Sequence, residues 1–283
     1  MIKIFKDAFK ISYNNIIIAT PLLLFLLILN IYLVIAKSAV KALPSTILFF
    51  TTLFLMVSAF LAGWLYMIKV AVDNYTENPD RAKSFESFGL LKEFPVGIAY
   101  YIKSYLGFSI LYLLLADVTF ISVYNIGLKL IGNFGISLSQ FISATEAPVA
   151  MQALIQSLTK AQLLKINYWY LLTMSSIQLF ILFTMFWPIE IMNKTKNSLL
   201  ALFKSIAIVF KKPQVILLFI GINILNLCLT LLNYIAIFNP ITYFIVTIIF
   251  FYFIVYIFVL LFLYYEKKLK GNSDSISDSN WQE

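Results

Sequence analysis

Six long apolar runs, divided by short polar gaps, dominate the chain: 16–36, 46–68, 104–128, 168–191, 215–237 and 241–265. A helix needs about 20 such residues to cross the hydrocarbon core of a bilayer, with a range near 17–25. None of the runs alternates apolar and polar residues with period two, as a barrel strand does, so the pattern predicts six transmembrane helices. The first run follows a basic N-terminus, like a signal peptide, but exceeds the roughly 7–15 apolar residues of such a leader and reads as a retained span.

The gaps carry a second pattern. FKDAFKISYNN (5–15), FESFGLLKEFP (85–95) and FKSIAIVFKKP (203–213) each open on Phe and a charged residue and reach Asn or Pro ten positions later, before a span begins. Around the third, Leu199, Leu202, Phe203 and Ile206 fall on one helix face, with Lys196, Lys204 and Lys211 off it. That is the pattern of a helix lying in the membrane interface. The expected architecture is therefore an interfacial helix followed by a two-span hairpin, repeated three times as parallel units. Residues 132–165 form the one sizeable loop on the other side. There Thr145, Glu146, Ala147 and Pro148 resemble a helix start, and Met151, Leu154, Ile155 and Leu158 follow at helical spacing. Residues 1–266 form the membrane domain in this reading, and the Ser/Asp/Asn-rich tail of 267–283 has little to bury and is expected to be disordered.

Charge orients the spans. With the N-terminus inside, the inner segments hold 16 Lys and Arg and the outer ones 5, which places both termini in the cytoplasm. Trp64 and Tyr66, Trp187, and Tyr264 with Tyr265 fall at inner span ends, and Tyr168, Trp169 and Tyr170 at an outer one, as aromatic belts do. A net charge of +8 then reflects inner-loop lysines rather than nucleic-acid binding. Only 12% of residues are charged, about half the soluble norm, too few to cover a water-soluble surface.

The juxtamembrane segments 85–95 and 203–213, each with its following hairpin, resemble a class of functionally uncharacterised bacterial multi-pass membrane proteins. That class includes the membrane domain attached to some glycerophosphoryl diester phosphodiesterases. The resemblance implies a bacterial inner-membrane location and a helical membrane fold. It implies no activity, because the phosphodiesterase reaction needs histidine and clustered carboxylates, and this chain has no His.

Inside the spans, polar residues are the available pointers to function, since a charged group at mid-bilayer costs about 2.5–3.5 kcal/mol on insertion scales. Asp117 lies halfway along the third span. The basic groups that flank it, Lys103 and Lys129, are roughly 18–21 Å away along a helix, too far to pair with it. It must be neutral, hydrogen-bonded to another helix, or open to a watery cavity. Asn223, Asn226, Thr230 and Asn233 fall on one face of the fifth span, and Gln178 lies at mid-depth in the fourth beside Ser175. Together these could give spans three, four and five a shared polar interior, either as a packing seam or as a solute path. The sixth span, with only Thr242 and Thr247, should face lipid over much of its girth. Ser58, Ala59, Ala62 and Gly63 form two small-xxx-small pairs that let helix backbones approach. Lys69, Asp73 and Glu190 read as side chains snorkelling to headgroups.

No phosphate loop, dinucleotide fingerprint or nucleophile elbow occurs, and without His or paired Cys neither a zinc site nor a redox pair can be built. The one cysteine, Cys228, reads as a small hydrophobe. No cofactor or metal is expected. The reading is a non-enzymatic membrane subunit or scaffold that organises lipid or a membrane-protein partner. Its alternative is a transporter or channel for a small solute or lipid.

Overall fold

The computed structural model describes residues 1–39, 43–77, 87–133, 148–236 and 239–270, and every regular element in them is helical. In chain order these are α1 (Ile2–Asn14), a 3-10 turn (Ile16–Ile18), α2 (Ala19–Ala39), α3 (Leu43–Glu77), α4 (Ser87–Leu130), α5 (Pro148–Ser157), α6 (Lys160–Thr184), α7 (Trp187–Asn193), α8 (Ser198–Lys211), α9 (Gln214–Ala236) and α10 (Pro240–Tyr264). The last continues into a π-helical turn over Tyr265–Leu269. Six helical stretches, one for each apolar run, are long and apolar enough to cross a membrane, and the chain is an all-α membrane protein.

Local chemistry accounts for the ends. The Asn239 side chain accepts from Ile241 N–H at 2.9 Å and Thr242 N–H at 3.4 Å, with Pro240 opening α10. Asn197 caps α8 the same way, accepting from Leu199 and Leu200. Such caps satisfy N–H groups that a helix start leaves free. Asn15 closes α1 by donating its Nδ2 to Ile11 O at 2.9 Å.

Two prolines, one within an apolar run and one before another, behave differently. The fourth run was expected to be one span over 168–191. Instead α6 stops at Thr184 and α7 restarts at Trp187, with Pro188 in its first turn. Thr184 is the residue four before Pro188, whose carbonyl a proline ring crowds and cannot bond. By contrast, Pro95 sits inside the 44-residue α4. The segments before the first and third hairpins are separate helices, α1 and α8, whereas the described part of the second (87–95) runs straight into its span. Tight packing against α3 accompanies this. A Cβ on Gly97 would lie 2.5 Å from Tyr66 Cβ and 2.7 Å from Ala62 O, and one on Gly63 would lie 2.8 Å from Phe94 O. The small residues of α3 are therefore used for close backbone approach, and Ser58 adds a 3.0 Å hydroxyl hydrogen bond to Ser109.

The chain divides into two compact units, one of residues 1–111 with 184 onward, the other of 112–183. In the first, α10 is central and packs on α1, α2, α3 and α9. Its early half exposes Phe244, Ile245, Ile248 and Ile249, as expected of a lipid-facing span. Its later half does not, because Val255, Val259, Leu260 and Leu263 are buried. An oily helix packs on oily neighbours as readily as on lipid, so lack of polar residues does not fix which way it faces. From α1, Ile4, Ala8 and Ile11 are buried, and its Phe5 ring fills the space a side chain at Gly221 would need. In the second unit, Trp169 packs against Gly127 and donates its Nε1 to Gly132 O at 3.0 Å.

The expected loop helix is present as α5, while Thr145–Ala147 lie outside the described residues, as does 271–283 of the tail. At the start of that tail the helical backbone continues to Leu269, and Lys267 Nζ meets Asp7 Oδ2 at 2.7 Å.

Candidate functional site

A cluster of hydrogen bonds in the first unit surrounds α7, the short helix that opens at Pro188. From Trp187 to Met192 every residue is buried. A helix this short leaves the carbonyls of its last turn without intrahelical donors, while those of its first turn can accept a second bond. Tyr105 Oη donates to Pro188 O at 2.8 Å. Met192 O accepts from Lys69 Nζ at 3.2 Å and from Tyr101 Oη at 3.3 Å. An ammonium at the carbonyl end of a helix is also favoured by the helix dipole. Trp187 donates its Nε1 to Ser198 O at 2.7 Å, and its ring meets Phe108 edge-on at 4.6 Å. Ser198 in turn donates to Ser104 O. Elements far apart in sequence are thus joined through one seven-residue helix.

Glu190 supplies the carboxyl at the centre of this cradle and is only 3% exposed. Tyr265 donates to its Oε1 at 2.8 Å, while among the described residues Oε2 has no partner. Buried atoms of Asn193 (Oδ1 and Nδ2), Asn74 (Nδ2) and Glu266 (Oε1) are likewise without partners there. Groups of this kind ordinarily bind internal water. Among the described residues no group of three or more Cys, Asp or Glu is placed to hold a metal ion. The arrangement is suited to fixing the ends of several spans around a buried carboxyl.

Several sequence expectations are corrected here. Glu190 does not snorkel, and Lys69 reaches inward to a backbone carbonyl rather than to the surface. Trp64, Trp187, Tyr264 and Tyr265 are each no more than 1% exposed and form no headgroup belt. Trp64 donates to Ile18 O at 2.9 Å. A protein carbonyl satisfies an aromatic N–H as well as a wet headgroup does, so the residue type does not choose between them. At the other end, Tyr168 and Tyr170 are exposed as expected, but Trp169 is buried. Sequence reasoning missed Tyr105, Asn193 and Asn74. The signal for Glu190 was present in its setting, WPIEIMN, where a carboxylate has apolar neighbours on both sides just after a helix-breaking proline.

The mid-span polar residues have a different setting. Asp117 is exposed and Gln178 half-buried, both in the second unit. On α9, in the first unit, Asn223 is half-buried, and Asn226, Thr230 and Asn233 are exposed. Two bonds along the stripe are local to its helix, from Asn223 Nδ2 to Phe219 O at 3.0 Å and from Thr230 Oγ1 to Asn226 O at 2.9 Å. Among the described residues the side chains of Asp117, Gln178, Asn226 and Asn233 form no hydrogen bond, and none of the six candidates bonds to another helix. Compared with known proteins, the chain matches no family, no curated protein and no solved structure, so its role has to be argued from its own residues.

Proposed function

We propose that this chain is a non-catalytic subunit or scaffold of a membrane assembly, docking a partner helix on the polar stripe of α9. One observation carries the reading: Asn226, Thr230 and Asn233 are exposed on a helix apolar enough to span a membrane. A primary amide facing hydrocarbon has lost water and gained nothing, at a cost of about 4–8 kcal/mol on alkane-transfer scales. A partner helix with polar groups at the same depth removes that cost. Asn226 and Asn233 lie seven residues apart, so both meet the same partner across one seam. The excess of Lys on one side supports termini in the cytoplasm and, with the resemblance above, a bacterial inner membrane.

The chain's one cysteine makes the test direct. Cys228 is exposed and two residues from Asn226, so it projects from roughly the opposite side of α9. In a Cys228→Ser background, Asn226→Cys should give a specific cross-linked product in native membranes, and a cysteine kept at 228 should not. Asn226→Leu with Asn233→Leu should abolish the product made from a third stripe position, Thr230→Cys. Equal cross-linking from both faces, or none from the stripe, would rule the seam out.

Transport of a small solute or lipid is the competing reading, favoured by Asp117, a carboxyl at mid-span without a partner among the described residues. Asp117→Asn keeps the shape and removes the titrating group. Unchanged growth and folding of this variant would dispose of a proton or cation relay.

A further inference from the structure

A cavity of about 380 Å³ opens at the Lys-rich end of the first unit. One wall is the break between α8 and α9, formed by Lys212, Pro213 and Gln214; the other is the end of α10 with its π-helical turn, including Lys267 and Lys268. The break has a clear local cause. Lys212 N–H closes α8 on Ile208 O, Pro213 has no N–H to continue it, and the chain re-enters helix through Val215 N–H to Lys212 O. The wider π turn across from it carries two adjacent lysines.

Three lysines and no acidic residue line this cavity. The neighbouring cavity, of about 420 Å³, makes the contrast. It holds Lys3 and Lys267, but also Asp7 and Glu266, so its charges are balanced from within. Lys267 belongs to both cavities and is held by Asp7, whereas Lys212 and Lys268 form no ion pair among the described residues. Like charges gathered around one cavity repel unless an anion sits between them, and lysine serves phosphate as a point charge. Just beyond the rim, Phe210, Ile216 and Leu217 are exposed apolar residues. A polar cavity with cations, placed where apolar helices begin and end and bordered by oily side chains, matches a molecule with an anionic head and acyl tails.

We propose that this cavity holds the phosphate headgroup of an anionic membrane phospholipid. Lys212 and Lys268 flank the phosphate, and Gln214 is placed to hydrogen-bond the headgroup's ester or hydroxyl oxygens. The acyl chains lie along α9 over Ile216 and Leu217. This takes up the lipid-organising role expected from the sequence and rests on the membrane placement, but it does not depend on the α9 seam. Failure of one therefore leaves the other standing.

The test uses the full chain in detergent and in nanodiscs, with phosphatidylglycerol, phosphatidylcholine and inorganic phosphate as probes, read by native mass spectrometry. The wild type should retain phosphatidylglycerol over phosphatidylcholine, and millimolar phosphate should not displace it. A basic residue near a membrane surface contributes roughly fivefold to anionic-lipid affinity, so Lys212→Gln with Lys268→Gln should weaken retention by about tenfold or more. Lys212→Arg with Lys268→Arg should restore most of it. Lys6→Gln with Lys211→Gln removes the same charge from exposed positions outside the cavity and should change little. Equal loss in that control would reduce the effect to general surface charge and overturn the site. So would equal retention of both lipids by the wild type, a result that needs no variant to fold. Displacement by free phosphate would identify a soluble anion instead and would also overturn it.

Discussion

The α7 cradle and the α9 stripe both place polar side chains in oily surroundings, and they resolve the conflict differently. In the cradle, carbonyls of the short helix α7 are met by Tyr101, Tyr105 and Lys69, and a buried carboxyl is met by Tyr265. These bonds are made inside the chain and tie its helices together, although Glu190 Oε2 and the Asn193 amide have no partner among the described residues. On the stripe, the bonds that do form are local to α9, and the amides of Asn226 and Asn233 are left facing outward. The first arrangement stabilises this chain; the second is complete only when something else covers it. A polar residue inside a membrane span therefore has no fixed meaning until its neighbours are known.

Three sets of substitutions can break or sharpen that contrast. The largest effect is expected from Trp187→Ala. The fully buried ring packs on Phe108 and donates to Ser198 O, and emptying such a site costs about 3–5 kcal/mol. Survival of the variant on size-exclusion chromatography after heating in detergent should collapse by many degrees. A small loss would mean that α7 is not the joint described here. Next comes Tyr265→Phe, which keeps the ring and removes only the donor to Glu190. Leaving a buried acceptor unmatched costs about 1–3 kcal/mol. The double variant Tyr265→Phe with Glu190→Leu should be less destabilised than the sum of the two single ones, because it removes both partners; simple additivity would show that they do not act as a pair. The smallest effect belongs to the stripe. Asn226→Leu with Asn233→Leu should leave the isolated chain within about 0.5 kcal/mol of wild type by the same heating assay, as surface changes usually do. A large loss would place the stripe in the chain's own core and erase the difference between the two regions.

Much of the fold was legible in the sequence for a simple reason. Twenty apolar residues in a row have few places to go, and each of the six runs became helix long and apolar enough to span, the fourth with a break at Pro188. Asn197 and Asn239 cap helix starts by a purely local requirement, a side-chain oxygen meeting free N–H groups, yet they were not picked out from the sequence. The small residues of α3 were recognisable as points of close approach, though only the structure identified Phe94, Gly97 and Ser109 as what they approach. The candidate site was harder to read. Polarity at mid-span drew attention to Asp117, Gln178 and the Asn stripe, while Glu190, Tyr105 and Asn193 lay near span ends, where a polar residue is ordinarily unremarked.

What the sequence determined alone is whatever depends on one helix at a time: six stretches able to span and the lopsided distribution of lysine; the caps and the break at Pro188 are just as local, but only the structure revealed them. What only the tertiary structure decided is which face of each helix is covered. It buried Trp64 and Glu190, turned Lys69 inward, enclosed the later half of α10 and left Asn226 bare. The physical reason is that lipid and protein interiors are nearly equivalent solvents for an apolar side chain. Hydrophobicity drives a span into the membrane but does not say which side of it meets protein, and that choice falls to shape and to hydrogen bonds between residues far apart in sequence.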